Sequence, residues 1–128
     1  MLASLRAVLV FHVLGVLAQS VLAGQFLSGS DGAVALHELT AWIVLGLCLL
    51  QILLAIALMR SGAVSLWLVI GSVGVLLGEA LQIGTGYGRF LGVHVPLGVL
   101  LLAGLIWQLI GAFRASYSPR VPAKGIPL

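Results

Sequence analysis

The sequence predicts an all-α membrane protein: four transmembrane helices in an up-down-up-down bundle, with both termini cytoplasmic. Three observations carry that prediction. Charged residues are 7% of the 128 and hydrophobic ones 62%, which is too little polar surface to wrap a water-soluble core. Four runs, 7 to 27, 35 to 59, 63 to 83 and 91 to 113, approach or exceed the ~20 apolar residues a helix needs to cross a bilayer. The runs are continuously apolar and lack the period-2 alternation of a barrel, and helices satisfy their backbone groups internally, as lipid requires. The third observation is the placement of charge between the runs, which sets topology.

The first run follows Arg6 and ends near SVLAG (residues 20 to 24). That outline also fits a cleavable secretory signal; we expect the segment to be retained as the first span. The loop SGSDGAV leads to the second run, which ends at Arg60. RSGAVS then joins the second run to the third, and GTGYGRF joins the third to the fourth. Arg6, Arg60, Arg114, Arg120 and Lys124 fall on one side and only Arg89 on the other, so the positive-inside rule places both termini in the cytoplasm. The short connections make consecutive helices antiparallel neighbours. Helices 2 and 4 then form one diagonal pair, and helices 1 and 3 the other. Residues 1 to 116 form the bundle, and residues 117 to 128, rich in proline and polar side chains, are expected to be an irregular cytoplasmic tail.

Composition removes several function classes. The single cysteine, Cys48, rules out an intrachain disulfide and cysteine-cluster metal sites. The net charge of +3 comes from membrane-flanking residues and forms no stripe for nucleic acid. GTGYG (84 to 88) lies between two membrane helices rather than in a strand-turn-helix unit, so its glycines are read as turn formers and not as a dinucleotide fingerprint. Gly74 and Gly78 make a small-xxx-small step that lets helices approach closely.

The chemistry rests with the three histidines. His37 opens helix 2 in LHELTAW and His94 opens helix 4 in GVHVPLGVLL. Both helices run in the same direction, so the two side chains share one depth near the outer face. Neighbouring axes 8–10 Å apart give a diagonal of roughly 13 Å, across which two imidazoles can hold a metalloporphyrin iron. Thr40, Ala41 and Gly98, one turn further on, are small enough for a macrocycle to lie against the backbone. Pro96 is tolerated in a first turn whose amides lack intrahelical acceptors. The plain alternative for either histidine is an imidazole solvated among headgroups.

His12 lies at a different depth, about two turns into helix 1 from the cytoplasmic side. Three readings stay open for it: a role in function, a neutral imidazole bonded to a neighbouring helix, or a quinone or lipid contact. Glu79 and Gln82 sit one turn apart in the outer third of helix 3. A carboxyl in lipid must be neutralised or hydrogen-bonded, because its ionised form loses hydration. Glu79 is thus a candidate for a propionate contact, proton relay, solute gate or helix glue. Arg89, with Tyr87, is placed to cover the outer edge of a haem.

LHELTAW, LGEALQIGTG and GVHVPLGVLLLAGLIWQL in this order resemble one four-helix half of haem A synthase, over nearly all of residues 7 to 113. The chain also resembles an uncharacterised family of small four-helix bacterial membrane proteins with a histidine and a nearby proline opening the last helix. The first resemblance implies that His37 and His94 are axial ligands of a haem b. The half of that family that processes substrate carries a glutamate three residues before its helix 2 histidine. Here that position is Val34, and Glu38 follows the histidine instead, which points away from haem A synthesis. The expectation is therefore a small b-type cytochrome of the bacterial inner membrane, an electron-transfer or haem-binding protein rather than a stand-alone enzyme. Its expected partners are the lipid bilayer, a quinone, and a homodimer or larger respiratory complex. The competing expectations are a cofactor-free accessory subunit and, lower, a small proton-coupled transporter.

Overall fold

The computed structural model describes residues 1–115. It contains four helices, α1 (Leu2–Leu27), α2 (Gly32–Arg60), α3 (Leu66–Tyr87) and α4 (Leu91–Arg114). All four are long and apolar enough to cross a membrane, and together they fit an integral membrane protein. Each helix packs against two neighbours in the ring α1–α2–α3–α4, leaving α1/α3 and α2/α4 as the diagonals. The expected tail, with Arg120 and Lys124, lies outside the described residues.

The helix ends depart from the apolar runs in four main places: α2 begins at Gly32 rather than residue 35, and the other three have backbone reasons. α1 begins at Leu2 rather than residue 7, because helical hydrogen bonding does not stop where lipid does. α3 begins at Leu66 rather than residue 63: Ala63 still serves α2, donating to Leu58 O at 2.9 Å, and Ser65 is extended. α3 then continues to Tyr87, so most of GTGYG is helix and not a turn. The turn is made instead by Arg89, which occupies the left-handed region at φ 56°.

This turn repeats a device used at the ends of α1 and α2. Gly29 (φ 96°) and Gly62 (φ 76°) hold the left-handed position. The next amide reaches back five residues, Ser30 to Gln25 O and Ala63 to Leu58 O, as Phe90 does to Thr85 O. These Schellman closures satisfy carbonyls that would otherwise be orphaned at each helix end. At the end carrying both termini, Arg6 does the same for α4. Its Nε donates to Ala112 O at 3.0 Å and its Nη2 to Ala115 O at 2.9 Å, with the guanidinium 5.1 Å above the Phe113 ring.

Large apolar side chains cover the outside, with Trp67 and Trp107 each 78% exposed. The interior holds two apolar clusters. One gathers Val16, Val44, Val75, Leu101 and Leu105; the other gathers Leu5, Leu9, Leu58 and Ala112 near the terminal end. Lipid provides no hydrophobic drive between helices, so close packing and polar contacts hold them together. At Gly15 an added Cβ would stand 2.8 Å from Val44 Cγ2, and at Gly78 it would stand 2.6 Å from Leu101 Cδ2, whereas at Gly74 it meets open space. Only the second member of the glycine pair therefore brings helices together.

Gly15→Ala is expected to destabilise the detergent-solubilised protein by about 1–3 kcal/mol, since Val44 is β-branched and cannot swing aside. Gly74→Ala is expected to be neutral or slightly stabilising. Paired thermal or denaturant unfolding curves measure both.

Candidate functional site

His37 and His94 face each other across the α2/α4 diagonal with ring centroids 6.2 Å apart and planes inclined at 48°. Both are half-buried. His37 Nδ1 donates to the backbone carbonyl of Gln19 on α1 at 3.0 Å, and His94 Nδ1 donates to that of Gln82 on α3 at 2.9 Å. A carbonyl only accepts, so each Nδ1 carries the proton and each Nε2 keeps its lone pair. Among the described residues neither Nε2 has a hydrogen-bond partner. An N–H anchored on a carbonyl behind a free nitrogen is the arrangement that orients metal-binding imidazoles and raises their basicity.

The separation suits an ion between the rings. A metal–imidazole nitrogen bond is about 2 Å, and the ring centre lies roughly 1 Å behind the nitrogen, which sets two opposed centroids about 6 Å apart. The donor set therefore fits a bis-imidazole iron centre.

The surrounding small residues are used differently from the expectation. Gln19 Nε2 bonds Thr40 Oγ1 at 2.5 Å and His37 O at 2.9 Å, so Thr40 positions the helix that anchors His37. At Gly98 an added Cβ would meet Gln82 Nε2 at 3.0 Å, and at Gly86 it would meet His94 Cε1 at 3.0 Å. Gly98 thus makes room for the Gln82 amide and Gly86 for the His94 ring itself. Ala41 is half-buried on the same stretch of α2, and Arg89 is exposed in the α3–α4 connection. Beside it Tyr87 donates to Glu38 Oε1 at 2.5 Å, bridging α3 and α2.

A second polar layer occupies the middle of the bundle, and every helix contributes to it. His12 from α1 is fully buried and bonds Gln51 Oε1 of α2 through Nδ1 at 2.9 Å and Glu79 Oε1 of α3 through Nε2 at 2.5 Å. Gln51 Nε2 donates to Ser72 Oγ at 2.8 Å and to Gln108 Oε1 of α4 at 2.9 Å, and Ser72 Oγ reaches Gln108 Oε1 at 2.8 Å. Cys48 Sγ rests 3.6 Å from Ser72 O. The donor atoms of His12, Cys48 and Glu79 lie within 4.8 Å of one another, but each already has a protein partner. Among the described residues two buried oxygens stay unpartnered, Glu79 Oε2 and Gln82 Oε1.

Of the readings open for His12 and Glu79, bonding to a neighbouring helix is the one the structure displays, His12 joining Gln51 of α2 and Glu79 of α3. Depth explains why the pair was not foreseen. With α1 starting at Leu2, His12 stands about 15 Å from the terminal end at ~1.5 Å per residue, deeper than two turns. Glu79 stands about 20 Å in on the same count, and its side chain leans toward the start of α3, which is the terminal end. Gln51, Ser72 and Gln108 were not singled out as site residues, although a glutamine inside a long apolar run is itself a signal of an inward face. The carbonyls of Gln19 and Gln82 leave no mark in sequence.

Comparison with family models, with curated proteins and with solved structures gives no match. The geometry is thus the ground for a functional reading.

His12→Leu is expected to cost about 3–5 kcal/mol, because it strands Glu79 and Gln51 without partners. The double variant His12→Leu/Glu79→Leu is expected to cost less than the sum of the single changes. A double-mutant cycle on unfolding free energies measures the coupling.

Proposed function

We propose that this protein is a small membrane cytochrome of b type, holding one haem b between His37 and His94. The observation that carries the reading is the matched pair of imidazoles. They come from diagonal helices, stand 6.2 Å apart, and are both fixed through Nδ1 on backbone carbonyls. When bound, such a group exchanges single electrons between its ferric and ferrous states. The residues of the chain do the rest. The Gln19 and Gln82 carbonyls hold both rings in the tautomer that leaves Nε2 free, and a haem held by both imidazoles would favour electron transfer over oxygen chemistry.

On this reading the positive-inside rule sets Arg6, Arg60 and Arg114 at the cytoplasmic face of a bacterial inner membrane. The histidine layer then lies near the outer surface, where Glu38, Tyr87 and Arg89 form the polar rim that a redox partner meets. A quinol in the bilayer, a second copy of the chain or a larger respiratory complex would supply the electron.

One observation favours a second reading, an accessory subunit. An open groove of about 580 Å³ between α3 and α4, lined by Gly71, Gly74, Gly104, Trp67 and Trp107, suits a packed helix of a partner.

Absorption spectra of the purified protein, oxidised and dithionite-reduced, with a pyridine haemochrome assay, decide between the two. About one low-spin haem b per chain is expected, with the bands lost in His37→Ala and in His94→Ala. Bands untouched by both substitutions, or a protein that stays colourless when haem is supplied during expression, would remove the proposal and leave the accessory subunit.

A further inference from the structure

We propose that the His12–Glu79 pair is a proton-binding site coupled to the histidine layer, taking up one proton for each electron the His37/His94 centre accepts. The inference rests on the reading of that centre as a redox site and adds to it a proton partner.

The pair has capacity for one more proton. His12 Nδ1–H is committed to Gln51 Oε1, and a single proton is shared across the 2.5 Å between His12 Nε2 and Glu79 Oε1. Wherever that proton resides, the pair is neutral overall, which is the form a low-dielectric interior tolerates. Glu79 is 5% exposed, and its second oxygen, Oε2, has no partner among the described residues. A group needed only to hold helices together would be served by an amide, as Gln51 and Gln108 already are.

The pair is also linked to the histidine layer along α3. Gln82, whose carbonyl anchors His94, follows Glu79 by three residues on the same face of α3, a rise of about 4.5 Å. Its Oε1 is the other unpartnered buried oxygen, so two acceptors on successive turns bracket the step between the layers. Charges buried in a medium of low dielectric interact with little screening by salt.

Toward the terminal end the pair meets Gln51, then Ser72 and Gln108, neutral groups bonded to one another that neither gain nor lose protons. The titratable groups around the pair are few: α2 contributes the Cys48 thiol, turned to Ser72 O, and α4 contributes none, presenting Gln108. The balance is simple. One electron from a one-electron donor, a reduced mediator in the test, enters the centre. One proton from the aqueous phase adds to the pair, which then holds an imidazolium N–H and a carboxylic O–H, and no bond between heavy atoms changes.

The test is an equilibrium redox titration of the haem-loaded protein, followed by absorbance across the neutral pH range. Reduction that takes up a proton is disfavoured as pH rises. The reduction equilibrium constant of the unmodified protein is therefore expected to fall by up to tenfold per pH unit, about 59 mV for a one-electron couple. Glu79→Gln and, as a second variant, His12→Gln are expected to flatten the slope while band positions stay unchanged. A potential independent of pH in the unmodified protein, or a slope that survives both substitutions, would overturn the inference and leave the haem reading standing. A protein with no spectrum dependent on His37 and His94 would overturn both.

Discussion

Lipid gives a buried polar side chain no partner, so each one must find its partner on another helix. That constraint sets the rotation of every helix in this bundle. His12, Gln51, Glu79 and Gln108 come from the four different helices, and the chain of bonds from Gln108 through Gln51 and His12 to Glu79 closes only if all four turn these residues to the axis. A helix rotated by one residue would swing its member by about 100° at 3.6 residues per turn. The others would then be left unsatisfied in a setting where each lost bond costs the full desolvation of the group. Apolar packing alone specifies far less here, because leucine faces lipid and leucine faces the core at nearly equal cost.

Once rotation is set, the inward seam continues to the histidine layer. On α1 it runs Leu5, Leu9, His12, Val16, Gln19. On α3 it runs Ser72, Val75, Glu79, Gln82, Gly86, and on α4 His94, Gly98, Leu101, Leu105, Gln108, Ala112. Steps alternating between three and four residues are the knobs-into-holes spacing of a left-handed bundle. His94 thus faces inward for the same reason Gln108 does, two heptads away. On α2 His37 and Gln51 stand in the same relation.

That seam decides how much was legible in advance. The four spans, their order and the diagonal pairing of His37 with His94 follow from run lengths, short connections and the shared direction of helices 2 and 4, none of which needs side-chain detail. Hydrophobic periodicity is silent, since both faces of every helix are apolar; the polar residues mark the inward face instead. The His12–Glu79 bond was hidden because it depends on where α1 and α3 begin, and helix starts at a membrane surface are set by backbone bonding rather than by hydropathy. The use of Gly98 and Gly86 was hidden for a related reason. A glycine shows that something comes close, but whether a macrocycle, an amide or an imidazole does so is a matter of packing.

The site has an internal logic that follows from the hairpins. In α1–α2 the first helix offers the Gln19 carbonyl to the histidine of the second, and in α3–α4 the Gln82 carbonyl is offered to His94 in the same way. Each hairpin therefore carries one oriented imidazole by itself, held by a contact between sequence neighbours in space. What neither hairpin can do alone is set the distance between the two rings. That distance depends on how the hairpins dock, and the bonds spanning the docked interface are those of the central layer, His12 to Glu79, Gln51 to Ser72 and Gln51 to Gln108, with Arg6 to the end of α4 on one side of it and Tyr87 to Glu38 on the other. Orientation of the histidines is a local property and their spacing a global one, shared between the polar layer in the middle of the bundle and the Tyr87–Glu38 bond beside the rings.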